Sequence, residues 1–163
     1  MKTDKKIVGY RKLPQIRKEA TRKKKRIVFT TGCFDLLHLG HVMHLSRCCK
    51  ERGDILVVSV GNDKTVRSLK GPTRPIQDER FRARMVAALE CVDYVVISRE
   101  FGKMDHNRIV ELLKPDIYVV PTTDSHLEEK KKLILANGGK LVTCRRIKRG
   151  VSTTRLAQKL GWE

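Results

Sequence analysis

Apolar residues concentrate in five short runs, with longer amphipathic or polar stretches between them. The runs are "RIVFT" (26–30), "DILVVSV" (54–60), "DYVVIS" (93–98), "DIYVV" (116–120) and "KLVTC" (140–144). They are short and rich in β-branched residues, and the second is continuously apolar, as a strand covered on both faces would be. "HVMHLSRCCKERG" predicts a helix from His41 to Arg52, stopped by Gly53. Asp78 can cap a helix running to Cys91, with Met85, Ala88 and Leu89 on one side. Asp105 can cap a helix ending near Lys114, before Pro115, and Ser125 can open one that closes at "NGG" (137–139). Ser152 caps a last helix to about Leu160. Residues 61–76 are rich in Gly, Pro and cations and read as a loop around one short helical turn. Strand and helix thus alternate five times. The expected fold class is α/β: a Rossmann-like, doubly wound, five-stranded parallel sheet with helices on both faces. Ligands of such sheets bind beyond the C-terminal strand ends, at the switch point.

With 163 residues, 40% of them hydrophobic, the chain suits one domain with a real core. No apolar run approaches the length of a membrane span, and the N-terminus has no apolar stretch of the signal-peptide kind, so a cytoplasmic location is expected. The five cysteines, Cys33, Cys48, Cys49, Cys91 and Cys144, are odd in number and form no C-x-x-C pair, which predicts reduced thiols rather than a disulfide framework or a zinc site. The net charge of +18 is uneven: residues 1–26 hold twelve Lys/Arg against Asp4 and Glu19, so +10 of it lies there. Two units follow, a basic N-terminal extension over 1–25 and a main domain over 26–163. The extension reads as a solvated charged segment, helical over 14–25 from Pro14, with Leu13 and Ile16 as its anchors. Binding of nucleic acid through residues 1–26 is the less favoured reading.

The chemistry concentrates in "TTGCFDLLHLGH" (30–41), the first strand-to-helix loop. Gly32 lets backbone approach a ligand closely, and Gly40 lets the helix start pack tightly. His38 and His41, three apart around that start, can both donate to the oxygens of one anion, beside the free N–H groups of the helix N-terminus. The pattern is neither a Walker A nor a G-x-G-x-x-G loop, since the lysine and the glycine triplet are missing. A zinc site from these histidines and His44 is disfavoured, because they surround a glycine turn and lack an acidic or thiolate partner at the usual spacing.

"GCFDLLHLGH" resembles the H-x-G-H nucleotidyltransferases, the cytidylyltransferase-like superfamily. Leu rather than Pro after Phe-Asp leans away from the branch that uses pantetheine phosphate or nicotinamide mononucleotide. "DKTVRSLKGPTRPI" (63–76), "RARMVAALECVDYVV" (82–96) and "GVSTTRL" (150–156) extend the resemblance over about residues 26–160, toward the adenylyltransferase module that makes ADP-heptose from heptose 1-phosphate. The resemblance implies transfer of an NMP group from an NTP to a phosphate-bearing acceptor by in-line attack at the α-phosphate, with release of pyrophosphate and with Mg²⁺ accompanying the triphosphate. It implies catalytic roles for His38, His41, Lys70 on a mobile loop, and Arg82. It implies nucleotide contacts from Thr31, Gly32, Cys33, Phe34, Asp35, Leu39, Gly40, Thr122, Asp124, Ser152, Thr153 and Thr154. Asp63, after the second strand, and Lys70 would orient the acceptor. A homodimer is expected, as is common in the family.

Two departures shape the substrate reading. "VPTTDS" (120–125) lacks the lysine and glycines of the heptose enzymes' K-G-G-D-Y pattern, which leaves the acceptor open among small phosphorylated sugars and polyols. Ile147, beside Arg146, stands where the glycerol phosphate and choline phosphate cytidylyltransferases carry an arginine, which favours ATP over CTP. The alternatives are a cytidylyltransferase for glycerol phosphate, amino-alcohol phosphate or phosphonate acceptors, and an FAD synthase-like enzyme acting on FMN. No sugar-kinase domain occurs in these residues, so a 1-phosphate sugar would come from a separate kinase.

Overall fold

The strands β1 (Ile27–Gly32), β2 (Ile55–Val60), β3 (Tyr94–Ile97), β4 (Ile117–Pro121) and β5 (Lys140–Cys144) form one sheet in the order β3-β2-β1-β4-β5. The structure is a computed structural model and describes residues 2–145, 153–159 and 161. Ser152, Arg146, Ile147 and Leu160, which carry expectations set out above, lie outside the described residues, as does the side chain of Thr154. Every strand pair is parallel, with Ile27 opposite Ile55 and Gly32 opposite Val60 across β1 and β2, and Val28 opposite Ile117 across β1 and β4. The chain leaves β1 for β2 on one side and reaches β4 on the other. The switch point therefore falls at the C-terminal end of β1, where the glycine- and histidine-rich loop begins.

Among the described residues seven α-helices accompany the sheet: α1 (Leu13–Arg22), α2 (Leu39–Met43), α3 (Asp63–Lys70), α4 (Glu79–Ala87), α5 (Asn107–Leu113), α6 (Leu127–Ala136) and α7 (Thr153–Lys159). α2 continues as a π-helical stretch, His44–Cys49, and a 3-10 turn, Lys50–Arg52. Alternate residues of each strand feed two cores. Val28, Leu56, Val58 and Val95 pack with Leu45 and Cys49 beyond α2 and with Val86 of α4. Ile27, Phe29, Val57, Val96 and Tyr118 pack with α1, α5 and α6 on the opposite face. Both faces are covered, which is why the strands read as apolar runs and not as alternating ones.

Three local expectations change. α3 spans two turns, not one, because Asn62 caps it by accepting from the Thr65 amide at 2.8 Å. Lys70 is accordingly the exposed last residue of a helix, not part of a loop. In α4 the buried stripe is Arg82, Ala83, Val86 and Ala87, while Met85 is 48% exposed. An arginine occupies a core position there, so apolar periodicity alone picked the wrong face. α5 starts at Asn107; Asp105 caps nothing and is instead buried, accepting from the Ser98 hydroxyl.

The basic N-terminal segment is not a solvated extension. Leu13, Ile16 and Ala20 lie i, i+3, i+7 on α1, are 0%, 2% and 0% exposed, and share the core with Ile109, Val110 and Leu113 of α5. Ile7 bridges Val95 in parallel, and the Val8 amide donates to the Val95 carbonyl at 2.8 Å, which covers the edge of β3. Arg17 pairs with Asp116 at 3.0 Å. The remaining cations of α1 and of residues 23–26 line the outer, exposed side. Truncating Ile16 to alanine is therefore expected to destabilise the whole domain by about 2–5 kcal/mol in urea unfolding. A solvated extension would predict no change.

A buried polar pair sits behind β1. His106 is 1% exposed, its Nε2 lies 2.8 Å from the Tyr118 hydroxyl, and its Nδ1 lies 3.5 Å from Asp105. Burial holds its pKa below the ordinary imidazole value, against an opposing pull from the Asp105 carboxylate. The unfolded chain thus binds this proton more readily than the folded one. The stability it contributes is full above the unfolded value, about 6.5, and is lost as pH falls from there toward the lowered native value. The urea midpoint should drop between about pH 7.5 and pH 5.5, and His106→Gln should flatten that slope.

Candidate active site

The loop after β1 is built by close approaches that need glycine. A Cβ on Gly32 would lie 2.9 Å from the Phe34 ring. Phe34 turns back over it with φ +50°, is buried, and meets His41 edge to face with centroids 5.3 Å apart. A Cβ on Gly40 would lie 2.9 Å from two atoms of the His38 ring. Its absence lets the His38 ring lie across the helix start and stack on His41, with centroids 3.9 Å apart and planes at 24°. His38 is the N-cap residue of α2, and its carbonyl accepts from the His41 amide at 2.9 Å. Two imidazoles are thus held side by side at the C-terminal end of the central strand. Leu39, beside them, is 62% exposed.

Two buried arginines fix the surroundings. Arg74 donates to Asp35 at 2.6 Å, both nearly solvent-free, and Asp35 also accepts from the Ile76 and Gln77 amides at 2.8 and 3.1 Å. The Asp35 carboxylate therefore anchors residues 74–77 and is not presented to a nucleotide. Arg82 is 0% exposed. It donates to the Gln77 carbonyl at 2.9 Å, the Gly61 carbonyl at 2.7 Å, Asp63 at 2.6 Å and the Cys33 carbonyl. A side chain so enclosed cannot touch substrate, so the expected catalytic Arg82 is instead a positioning residue. It ties the loop after β1, the loop after β2 and the start of α4 to one another. Asp63 opens α3 with its carboxylate on Arg82 and its amide donating to Glu79 at 2.8 Å.

Several of the other expected residues among those described lie at the same sheet edge. Thr31 and Gly32 end β1, and the Gly32 carbonyl accepts from the Gly61 amide at 3.0 Å. Burial pushes the Cys33 thiol up, against the opposing pull of the Lys70 and Arg82 charges. The Thr153 hydroxyl, at the start of α7, lies 3.5 Å from the Leu36 carbonyl, which brings that helix to the histidine loop. Thr122 follows β4, its amide donating to the Cys144 carbonyl at 3.0 Å. Asp124 is committed elsewhere: it accepts from Lys130 at 2.7 Å and from the His126 amide at 2.9 Å. Burial alone would raise its carboxyl, but the Lys130 ammonium and the His126 amide outweigh that and hold it below the usual range. Its expected nucleotide contact is replaced by a bond to α6. Sequence reasoning missed Arg74 and Asn62. The one signal for Arg74 was the demand that a buried Asp35 find a cation, and several cations in 64–80 could have met it.

Cys48 and Cys144 are joined by a disulfide with Cα atoms 6.1 Å apart, against the expectation of free thiols throughout. The pairing spans 96 residues and arises because the sheet brings the end of β5 beside the extension of α2. No local spacing could show it.

A parallel sheet of this order, with an imidazole pair and a glycine-shaped loop at its switch point, defines an α/β protein whose ligand site lies at the C-terminal strand ends. Residues 29–159 match the family model described as cytidylyltransferase-like. The bifunctional protein HldE of Geotalea uraniireducens is 38% identical over 161 residues, 97% of this chain and 31% of that protein. HldE of a Nitratiruptor species is 45% identical over 117 residues, 72% of this chain and 24% of that protein. The chain thus spans about a quarter to a third of the length of these relatives. The lipopolysaccharide core biosynthesis protein of Thermoplasma volcanium matches with a TM-score of 0.64 at 32% identity, over 77% of this chain and 99% of that one. The pantoate-beta-alanine ligase of Francisella tularensis shares the fold, with a TM-score of 0.64 at 16% identity over 88% of this chain and 67% of that one. The chain belongs to the cytidylyltransferase-like family. Among the described residues no helix is long and apolar enough to cross a membrane.

The role of Gly40 is testable in isolation. Gly40→Ala is expected to keep the fold, since the new methyl meets a side chain and not backbone. It should push the His38 ring off His41 and slow nucleotidyl transfer on the order of 10²-fold, read as pyrophosphate release beside an unchanged thermal midpoint.

Proposed function

We propose that the protein transfers an NMP group from an NTP, ATP in preference to CTP, to the phosphate of a small sugar or polyol phosphate, and releases pyrophosphate. The observation that carries this reading is the stacked His38–His41 pair, held by a helix start where a Cβ at Gly40 would lie 2.9 Å from the His38 ring. An acceptor phosphate oxygen attacks the α-phosphorus in line, and the bond from that phosphorus to the bridging oxygen of the β-phosphate breaks. Such transfer needs positioning and charge stabilisation more than a protein nucleophile. The two imidazoles donate to oxygens of the α-phosphoryl group and the departing pyrophosphate, where negative charge grows. Lys70, exposed at the end of α3, brings a cation to the phosphates. Mg²⁺ enters with the NTP as part of the substrate. Asp35 and Asp63 are engaged by Arg74 and Arg82, which supports its coordination by phosphate oxygens and water and not by these acids.

The sugar class is supported by the resemblance to the ADP-heptose module and by the similarity to a lipopolysaccharide core biosynthesis protein. Ile147 in place of the cytidylyltransferase arginine supports ATP. We place the reaction in the cytoplasm, where NTPs are available, and carry over the homodimer common in the family.

The test is pyrophosphate release with Mg–ATP and Mg–CTP separately, against sugar 1-phosphates, polyol phosphates, amino-alcohol phosphates and FMN. Release with ATP and a sugar or polyol phosphate is the expected result. Release with CTP alone would reassign the nucleotide, and release with FMN alone the acceptor. Silence with every pair, together with no NTP binding by calorimetry, would overturn the reading.

A further inference from the structure

On the face of the sheet shared by α2 and α4, three side chains converge that the transfer chemistry does not use. Cys48 sits on the π-helical extension of α2, and Cys144 ends β5. His44, four residues before Cys48, places a ring nitrogen so that it and both sulfurs all lie within 4.8 Å of one another. Cys48 is 9% exposed and borders the core, and His44 and Cys144 are half-buried, so the group is shielded from bulk water. The His44 ring is oriented from the sheet side: its Nε2 lies 3.2 Å from the Thr30 hydroxyl, which itself donates to the Val119 carbonyl at 2.9 Å.

We propose that in the reduced protein His44, Cys48 and Cys144 form a three-donor site for a thiophilic divalent cation of the zinc class, with the fourth position open to water. Two sulfurs close enough to bond to each other can converge on one ion. Zinc–sulfur bonds of about 2.3 Å and zinc–nitrogen bonds of about 2.0 Å set two tetrahedral sulfurs and a nitrogen about 3.5–3.8 Å apart. The three donor atoms already lie within 4.8 Å of one another, and opening the sulfur–sulfur bond frees both sulfurs to take up that spacing. Two soft thiolates and a borderline imidazole select zinc over magnesium, which prefers oxygen donors. Opening the disulfide takes two electrons from a reductant such as a phosphine and two protons from water, whose oxygen leaves with the phosphine as its oxide. Binding the cation then displaces the two thiol protons to solvent. The bound ion clamps the end of β5 to the helix that carries His41, a fixed link between the two loops at the sheet's C-terminal edge.

The test uses the full chain, reduced anaerobically with a phosphine that is then removed, and titrated with Co²⁺. One equivalent should produce a thiolate-to-cobalt charge-transfer band with the visible bands of a tetrahedral site, and Zn²⁺ should bleach both. Cys48→Ser and Cys144→Ser should each lose the band at one equivalent, and Cys91→Ser should keep it. The oxidised wild-type protein should show no band. A reduced wild-type protein without the band would overturn the proposal, whatever the variants do. So would a band that survives in Cys144→Ser. The readout is optical and independent of nucleotidyl transfer, so its failure leaves the functional reading untouched.

Discussion

Replacing His41 with alanine is expected to lower the turnover of pyrophosphate release by on the order of 10²–10³-fold, with little change in the nucleotide concentration needed for half-maximal rate. The negative charge that His41 meets is small in the ground state and large as the α–β bond breaks, so its loss falls on the transition state. The ring also packs on Phe34 and His38, so the variant must be checked for stability before the rate is read. His41→Gln, which restores an N–H donor at similar reach but not the stacked ring, should recover part of the loss. Equal rates for parent and alanine variant, with an unchanged unfolding midpoint, would remove His41 from the mechanism. His38→Ala should act in the same direction, and the double variant should fall short of the product of the two, because the rings hold each other in place.

The frame around this pair was readable from the chain because its signals are local. Each apolar run became a strand, since a parallel sheet buries both faces and leaves no alternation to misread. The His38–Gly40–His41 spacing located the switch-point loop for a similar reason: close approach demands glycine, and the demand is written at the position itself. What stayed hidden depends on partners distant in sequence. Asp35, Asp63 and Asp124 looked like ligand-facing acids, and each proved to serve a cation, Arg74, Arg82 or Lys130, that only the fold selects from a surplus of them. The N-terminal segment was read as solvated because its two visible anchors, Leu13 and Ile16, stand among twelve cations, and only the fold adds Ala20 and the core face of α5 that completes the stripe. The bond between Cys48 and Cys144 joins ends that only strand order brings together.

Arg82 is where the fold and the site depend on the same side chain. Arg82→Ala is expected to destabilise the protein by about 3–5 kcal/mol, the range for removing one partner of a buried ion pair. The change strands Asp63 and leaves the carbonyls of Cys33, Gly61 and Gln77 without their shared donor, inside a cavity the size of a guanidinium stem. Asp63→Asn should cost much less. Asp63 is 28% exposed in its side chain, so water can reach it, and Arg82 keeps its three carbonyls. Arg82→Lys should not rescue the alanine variant fully, because one ammonium cannot reproduce donors spread over a planar fork. Urea unfolding of the three variants separates these contributions, and a loss under about 1 kcal/mol for Arg82→Ala would mean the loops hold their places without it. If Arg82→Lys folds stably enough to assay, its residual activity reports positioning alone. The histidine loop hangs on Arg82 through the Cys33 carbonyl, so turnover should fall in a variant whose His38 and His41 are untouched.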